Sequence, residues 1–532
     1  MANYQTDLGI QSFRGIRAVN PVVDVTSSGQ ISASVCKNVE LKFSGNGNNV
    51  GIFTMKGSSV VAELEGKVIR GHFESVQLGI SYQIVYATDE NGGYLYWYKP
   101  GVNTFQLLHE GLTATKQCNG LTLNQGYDDV FVFTNGVDDY LSVLMKSETN
   151  PEPTITPLNA TDAEERPIRG LCLKYQNGRL ITNSGNRVHW SKTVDIYDWS
   201  SAETGVYTNP AYQEFDRDIT AIETYGDALI VFTDTYSAQF TGNPGNATEF
   251  KRSDATGGGC SGFEAVIKFD NKVFYYDPTA KNIFAYYLYD SGQTRPTDGL
   301  ANDIIKYLSQ VDQSKANEFT FKTYIYGDKS EIWIKFTTFS GQIVLIYDYL
   351  KQEWLMRDMP LIDSISTINS QIYTSVGGRI LKEYSGNTYN GDFVPSEYKC
   401  NIINLNSDSN LKIPKLPIII TFDNEYTNNL WMELTLDDDP TKVILKRIEK
   451  SGDEYLIWAS EDGSIGGIWA NDDGTDGYYW NYDDSRNVTY NLFGLIPYKQ
   501  LQIRFFTEKL GDEFGIKRIE IKRVKVKTKT VA

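Results

Sequence analysis

Histidine is the scarcest chemically useful residue in this chain: three in 532 residues, His72, His109 and His189, with no HxxH or HExxH spacing. A histidine-dependent nucleophilic triad or a catalytic zinc centre therefore has almost no material to be built from. His189 sits in the run RVHWS and reads as a packed strand residue rather than a base. Cysteine is also sparse: Cys36, Cys118, Cys172, Cys260 and Cys400 are far apart, odd in number and never in a CxxC pair. That argues against a disulfide framework or a zinc knuckle, and for free buried thiols in a reducing compartment. The first 17 residues hold no apolar core of a secretory signal, and no window approaches the ~20 apolar residues of a membrane helix. Synthesis in a cytosol without export is the expectation.

Phosphate-binding and hydrolase signatures are missing too. No GxSxG elbow or GxxxxGK[ST] loop occurs. The run Gly257-Gly258-Gly259-Cys260 lacks a following lysine and precedes a strand, so it reads as a tight turn with a buried thiol. Positive charge is in deficit, with 50 Lys and Arg against 67 Asp and Glu and a formal net charge of −17. Such a chain does not accumulate on nucleic acid by neutralising phosphates. It remains compatible with DNA sliding past without sticking. No catalytic, cofactor or metal residues are expected.

What is present points to β-structure. Aromatics reach 13%, with 35 Tyr and 25 Phe, and 45 Gly against 16 Pro imply many tight turns. Charged residues at 22% and hydrophobic ones at 41% are the balance of a folded chain, and its length calls for more than one domain.

A weak repeat runs through the middle: an aromatic, a Gly/Asn/Asp turn, then an alternating apolar run. It is seen at Tyr127-Asp128-Asp129 before VFVF, Tyr175-Gln176-Asn177-Gly178 before RLIT, and Tyr225-Gly226-Asp227 before ALIVF. It returns at Phe269-Asp270-Asn271, Tyr326-Gly327-Asp328 and Asn369-Ser370. These are hairpin turns between strands of period two. The runs after them centre on Val85, Val132, Leu180, Ile230, Phe274, Ile334 and Ile372, at steps of 38 to 60 residues. Four short strands and their turns take about 40–50 residues, one propeller blade. A β-propeller of six to eight blades over 71–393 is the reading. Its longest step carries a helical insertion near 300–312, with Leu300, Ile304, Ile305, Leu308 and Val311 at helical spacing. Residues 1–70 read as an arm plus ring-closing strands, and 394–532 as a C-terminal β-sandwich-like domain with runs such as LWMELTL and LQIRFF.

Two charged features stand out. Ser451 to Asp484 holds nine acids and no Lys or Arg, with a tandem echo, IWASEDGSIGG then IWANDDGTDGY. Its Asp462, Asp472, Asp473 and Asp476 are candidates for solvated hairpin tips, for a calcium loop of unusual spacing, or for an acidic wall along a DNA passage. At the C-terminus, Lys525, Lys527 and Lys529 form the basic face of a strand. They guard a sheet edge or form a docking patch for an acidic partner.

Several segments together resemble the tail hub, or nozzle, proteins of short-tailed bacteriophages, also described as DNA-stabilisation or head-completion proteins. They are NGRLITNSGNRVHWSKTVDIYDWSS (Asn177 to Ser201), then ITAIETYGDALIVFTDTYSAQFTG, GGGCSGFEAVIKFDNKVFYYD and FKTYIYGDKSEIWIKF, in the family's order. The likeness runs from about Gly170 to Tyr384; the opening ISASVCKNVELKFSGNGNNVGIFTMKG matches the family's start without its usual arginine. The resemblance implies a virion protein of the tail, assembled in the host cytoplasm as a homo-oligomeric, hexameric ring. It would dock below the portal and adaptor proteins, retain packaged DNA, form the channel for its ejection, and present a surface to tail fibres or a tail tip. On this reading the chain is no enzyme. The alternative is a glycan-binding or glycan-degrading propeller of the tail acting on the host surface. A hydrolase of that kind requires a deep central pocket with convergent carboxylates, tyrosine and arginine.

Overall fold

Among the described residues, the turns that punctuate the sequence are hairpin turns in the fold; the one at Tyr127 lies outside them. The computed structural model describes residues 5–17, 22–23, 29–44, 49–102, 104–125, 128–145, 152–162, 164–200, 211–244, 250–255, 258–288, 294–296, 301–404, 417–423, 425–448, 485–491 and 500–524. Asn177 and Gly178 both have positive φ, 52° and 73°, and join the antiparallel strands Leu173–Gln176 and Arg179–Ser184. That backbone twist matches the twist of the strands it connects. Positive φ at Gly226, Asp270, Gly327 and the pair Asn369-Ser370 makes the corresponding turns.

The seven apolar runs each form the second strand of a different sheet. Among the described residues, Lys56–Gly391 forms one unit containing seven four-stranded antiparallel arrays. The first begins Val68–Gln77, Ile80–Asp89, Gly92–Tyr98, Gln106–Leu112. The sixth is Thr320–Tyr326, Lys329–Thr338, Gly341–Asp348, Glu353–Arg357. First strands touch first strands in sequence around the unit, and Ser364–Ile368 of the seventh blade returns to Val68–Gln77 of the first. The ring is thus a closed, seven-bladed propeller. Its seventh blade takes its outer strand from before the first: Ser58–Glu63 pairs with Arg379–Glu383, fastened by an Arg379–Glu63 ion pair of 2.8 Å.

Second strands are largely apolar because both their faces are covered. Tyr82, Ile84 and Tyr86 point toward blade two and pack with Phe131 and Phe133, while Val85 and Ala87 point toward blade seven and pack with Ile380 and Ala62. Leu180 faces blade two and Ile181 faces blade four in the same alternation. Truncating one of these buried Phe side chains to Ala costs about 3–5 kcal/mol, so the inter-blade layers carry the stability of the ring.

The insertion between blades five and six is less helical than its spacing predicts. A 3₁₀ turn at Asn302–Ile304, a single α-turn at Ile305–Leu308 and a second 3₁₀ stretch at Gln313–Glu318 replace the expected helix. Ile304, Leu308 and Val311 are buried, so the apolar spacing records packing onto the blade rather than helix length.

The other unit combines Met1–Met55 with Asp392–Ala532. Of the stretch 1–70, expected as an arm plus ring-closing strands, Ser58–Glu63 closes the ring, whereas Met1–Met55 belongs to this second unit. Gln30–Lys37 pairs with Ser12–Ile16 and Glu397–Cys400, and Asn49–Thr54 pairs with Val39–Ser44 and Gly515–Val524. Both ends of the chain thus build one pair of sheets. Leu430–Leu436 and Gln500–Phe506 alternate buried and half-buried residues, as sheets covered on one face do. Arg504 ties Glu397 and Glu433 together across three strands, at 2.8 and 3.2 Å.

Candidate functional site

The residues singled out by charge lie elsewhere than the describable site. Asp462, Asp472, Asp473 and Asp476, with Lys525, Lys527 and Lys529, fall outside the described residues. The strand that leads to those lysines, Gly515–Val524, is interior rather than an edge: Pro417–Asp423 pairs along one side and Gln5–Ile10 along the other, burying Ile519 and Ile521.

The glycine–cysteine run is a packing device. A Cβ on Gly258 would lie 1.7 Å from the Asp277 carboxylate, and one on Gly259 would strike the backbone of Asp234. Cys260 is buried, its thiol donates to the carbonyls of Gly262 and Ala265, and burial pushes its pKa up to about 12. It holds a turn as a protonated thiol, the opposite of what a nucleophile needs. His189 is buried against Tyr212 and His72 lies between blades one and seven; burial lowers their pKa values to about 4 and about 3.

Polar groups converge at the centre of the propeller instead. A cavity of about 660 Å³ opens between the first strands, walled by blades one, two, five, six and seven. Arg70, on the first strand of blade one, pairs with Asp363 at the entry to blade seven, Nη1 to Oδ1 at 2.8 Å. Lys322, on the first strand of blade six, pairs with Glu264 before blade five, Nζ to Oε1 at 2.7 Å. Thr320 donates to the other oxygen of Glu264, and the backbone N–H of Gly377 donates to Asp363 Oδ2. Between these pairs lies Lys335, on the second strand of blade six. Its Nζ donates to the carbonyl oxygen of Asp363 at 3.3 Å, and no carboxylate lies within 4 Å of it among the described residues. Lys335 opens to the cavity and is enclosed by protein on its other sides; desolvation lowers its pKa, against the raising influence of Glu264, Glu318 and Asp363. Ring closure brings these residues together, since the first strands of the seven blades meet around one axis and the segments before them end there.

A second cavity, of about 490 Å³, lies beside blades two to five, and Lys116, Gln117 and Glu318 line both. They form a strap: Gln117 Nε2 donates to the carbonyl of Asn317 at 2.7 Å, and Lys116 stands 3.7 Å from Glu318. The insertion before blade six thereby meets the link before blade two.

No family model and no curated protein matches the chain. Solved structures of similar fold include a 6-phosphogluconolactonase-like protein from Bacteroides fragilis, 11% identical, covering 58% of this chain and 88% of its own, with a TM-score of 0.37. Another from Bacteroides uniformis is 10% identical over 54% of this chain and 84% of its own, with a TM-score of 0.31. The exo-β-1,3-galactanase of Phanerochaete chrysosporium is 10% identical over 88% of this chain and 100% of its own, with a TM-score of 0.26. The likeness is one of fold. The expectation that the chain is no enzyme is corrected at this point: the neighbours found are named as enzymes, and what they share with this chain is the fold alone.

Composition and motif spacing miss the cavity set because its members come from separate blades. One signal was there: Lys335 interrupts the apolar run IWIKF, and a lysine inside a strand buried on both faces needs a reason.

Among the described residues no helix is long and apolar enough to cross a membrane.

Proposed function

We propose that this chain is a tail component of a short-tailed bacteriophage whose seven-bladed propeller binds a host-surface glycan in its central cavity. The observation that carries the reading is the cavity itself, whose walls combine charged groups already in pairs, Arg70 with Asp363 and Lys322 with Glu264, with threonine hydroxyls and side-chain amides. Fixed polar groups in a concave site suit a polyhydroxylated ligand, which exchanges many water hydrogen bonds for many protein ones. Glu264 and Asp363, on different blades, are the carboxylates that glycosidic cleavage would draw on. The test is an oligosaccharide array probed with the whole protein, followed by a reducing-end assay on each bound sugar. Retention of a defined sugar set, lost on Thr320→Val with Thr323→Val, supports the reading. Retention of no sugar would sink it.

A second reading is favoured by the run Asn177 to Ser201 and the segments after it, which resemble the tail hub family in order. On that reading the chain assembles as a ring below the portal and adaptor, and ejected DNA passes through the ring. Negative-stain images of the protein with its cognate portal–adaptor assembly test it: rings capping the adaptor support the hub, and lone particles that ignore the adaptor count against it.

A further inference from the structure

Five cationic side chains line the central cavity, Arg70, Lys116, Lys315, Lys322 and Lys335, against four carboxylates, Glu74, Glu264, Glu318 and Asp363. With Asp312, just outside the lining, the charges balance in number but do not all meet: Glu74 accepts from Ser81 and from the backbone N–H of Asn369 and pairs with no cation among the described residues. Arg70 has Asp363, Lys322 has Glu264, Lys116 has Glu318, and Lys315 has Asp312 outside the cavity lining. Among the described residues, Lys335 alone of the five holds only a carbonyl oxygen, at 3.3 Å. An ammonium carries three donors and is costly to enclose with one of them engaged and no counter-charge in contact.

We infer that Lys335 is the seat for one anionic group of the ligand, so that the glycan taken by this cavity is an acidic saccharide rather than a neutral one. The inference rests on the glycan reading above and narrows it. One seat, not several, follows from the pairing: Arg70 and Lys322 would each have to surrender a carboxylate partner to hold a second anion, whereas Lys335 gives up only a backbone acceptor. The strand fixes its position. Lys335 lies opposite Thr320 in the ladder between the first two strands of blade six, so the anion would sit beside the hydroxyl of Thr320 and within the field of Lys322. The groups that bear on its charge are Glu264, Glu318, Asp363 and Lys322, and burial lowers its pKa. Since the seat works only as an ammonium, binding of the acidic ligand weakens as pH rises through that depressed pKa, below the pH at which an ordinary lysine discharges.

The experiment is calorimetric titration of the whole protein with matched oligosaccharides, oligogalacturonate against oligogalactose, with inorganic phosphate as a bare anion. The acidic sugar is expected to bind at least ten-fold more tightly than the neutral one. Lys335→Met should abolish the preference for the acidic sugar over the neutral one, and phosphate should compete with the acidic sugar in the wild type alone. Should Lys335→Met fail to fold, Lys335→Arg serves: it keeps the preference but flattens the loss of binding at high pH, because a guanidinium does not discharge there. Equal affinity for the two sugars, or a ten-fold preference that survives Lys335→Met, or a pH profile identical in Lys335→Arg, overturns the assignment of Lys335 and leaves the glycan reading standing. Binding of neither sugar nor any other member of the array removes both.

Discussion

Gln117 and Asn317, 200 residues apart in sequence, meet at 2.7 Å where the link before blade two and the insertion before blade six come together. Their bond, with Lys116 beside Glu318, divides the space at the propeller's centre into two cavities that share these residues as a wall. A ligand large enough to occupy both has to displace it.

Gln117→Ala removes that strap at its strongest contact. The bond is exposed, so the expected stability change is under about 1 kcal/mol. Hydrogen exchange should show the difference that melting does not: amides of Gln313–Glu318 exchange faster in the variant, while those of Thr320–Tyr326 keep their protection.

Arg357 and Glu383 form an ion pair from which water is wholly excluded, at 2.9 Å, linking the last strand of blade six to the third of blade seven. Thr374 completes the Glu383 carboxylate, but Nε and Nη1 of Arg357 have no acceptor among the described residues. Glu383→Ala leaves a buried cation alone and is expected to cost about 3–5 kcal/mol, whereas Arg357→Met with Glu383→Leu recovers most of that loss. Urea midpoints of the three proteins check it; a double variant as unstable as the single one would contradict the account.

His72 makes stability depend on acid. Its ring accepts or donates to Tyr98 and Ser366, at 3.1 and 3.2 Å, and burial lowers its pKa from 6.5 to about 3. The folded ring therefore stays neutral where the unfolded one takes up a proton. Stability is intact above pH 6.5 and falls as pH drops from there toward 3, by at most about 4–5 kcal/mol. His72→Gln should flatten that slope, measured as the difference between wild-type and variant urea midpoints across the window.

Closure of the ring is a further point of attack. Ala62, in the strand Ser58–Glu63, is buried with Ile69, Val85 and Ile380. Ala62→Glu puts an unpaired carboxylate into that layer and should cost at least about 3 kcal/mol. Protease cleavage between residues 56 and 67 should follow at temperatures the wild type resists.

The propeller was legible because its second strands are covered on both faces. ALIVF and VFVF are apolar at every position, and the turns before such runs need Gly, Asn or Asp for positive φ, so both signals survive without homologues. The closing strand was harder, since SSVVAE has no signature and its partner lies some 316 residues away. The N-terminal residues read as an arm for the same reason: Gln30–Lys37 finds its neighbour Glu397–Cys400 only after the whole propeller has intervened. The cavity was least legible of all. Arg70, Glu264, Lys322 and Asp363 are ordinary surface residues by sequence, Lys335 stands out only by interrupting IWIKF, and only ring closure brings the five to one axis.

Hydrogen exchange of the protein saturated with its tightest-binding oligosaccharide locates the ligand. New protection is expected in Val68–Gln77, Thr320–Tyr326 and Lys329–Thr338, the strands that carry Arg70, Lys322 and Lys335 into the cavity. Protection confined to outer strands such as Gln106–Leu112, with those three unchanged, would contradict the account.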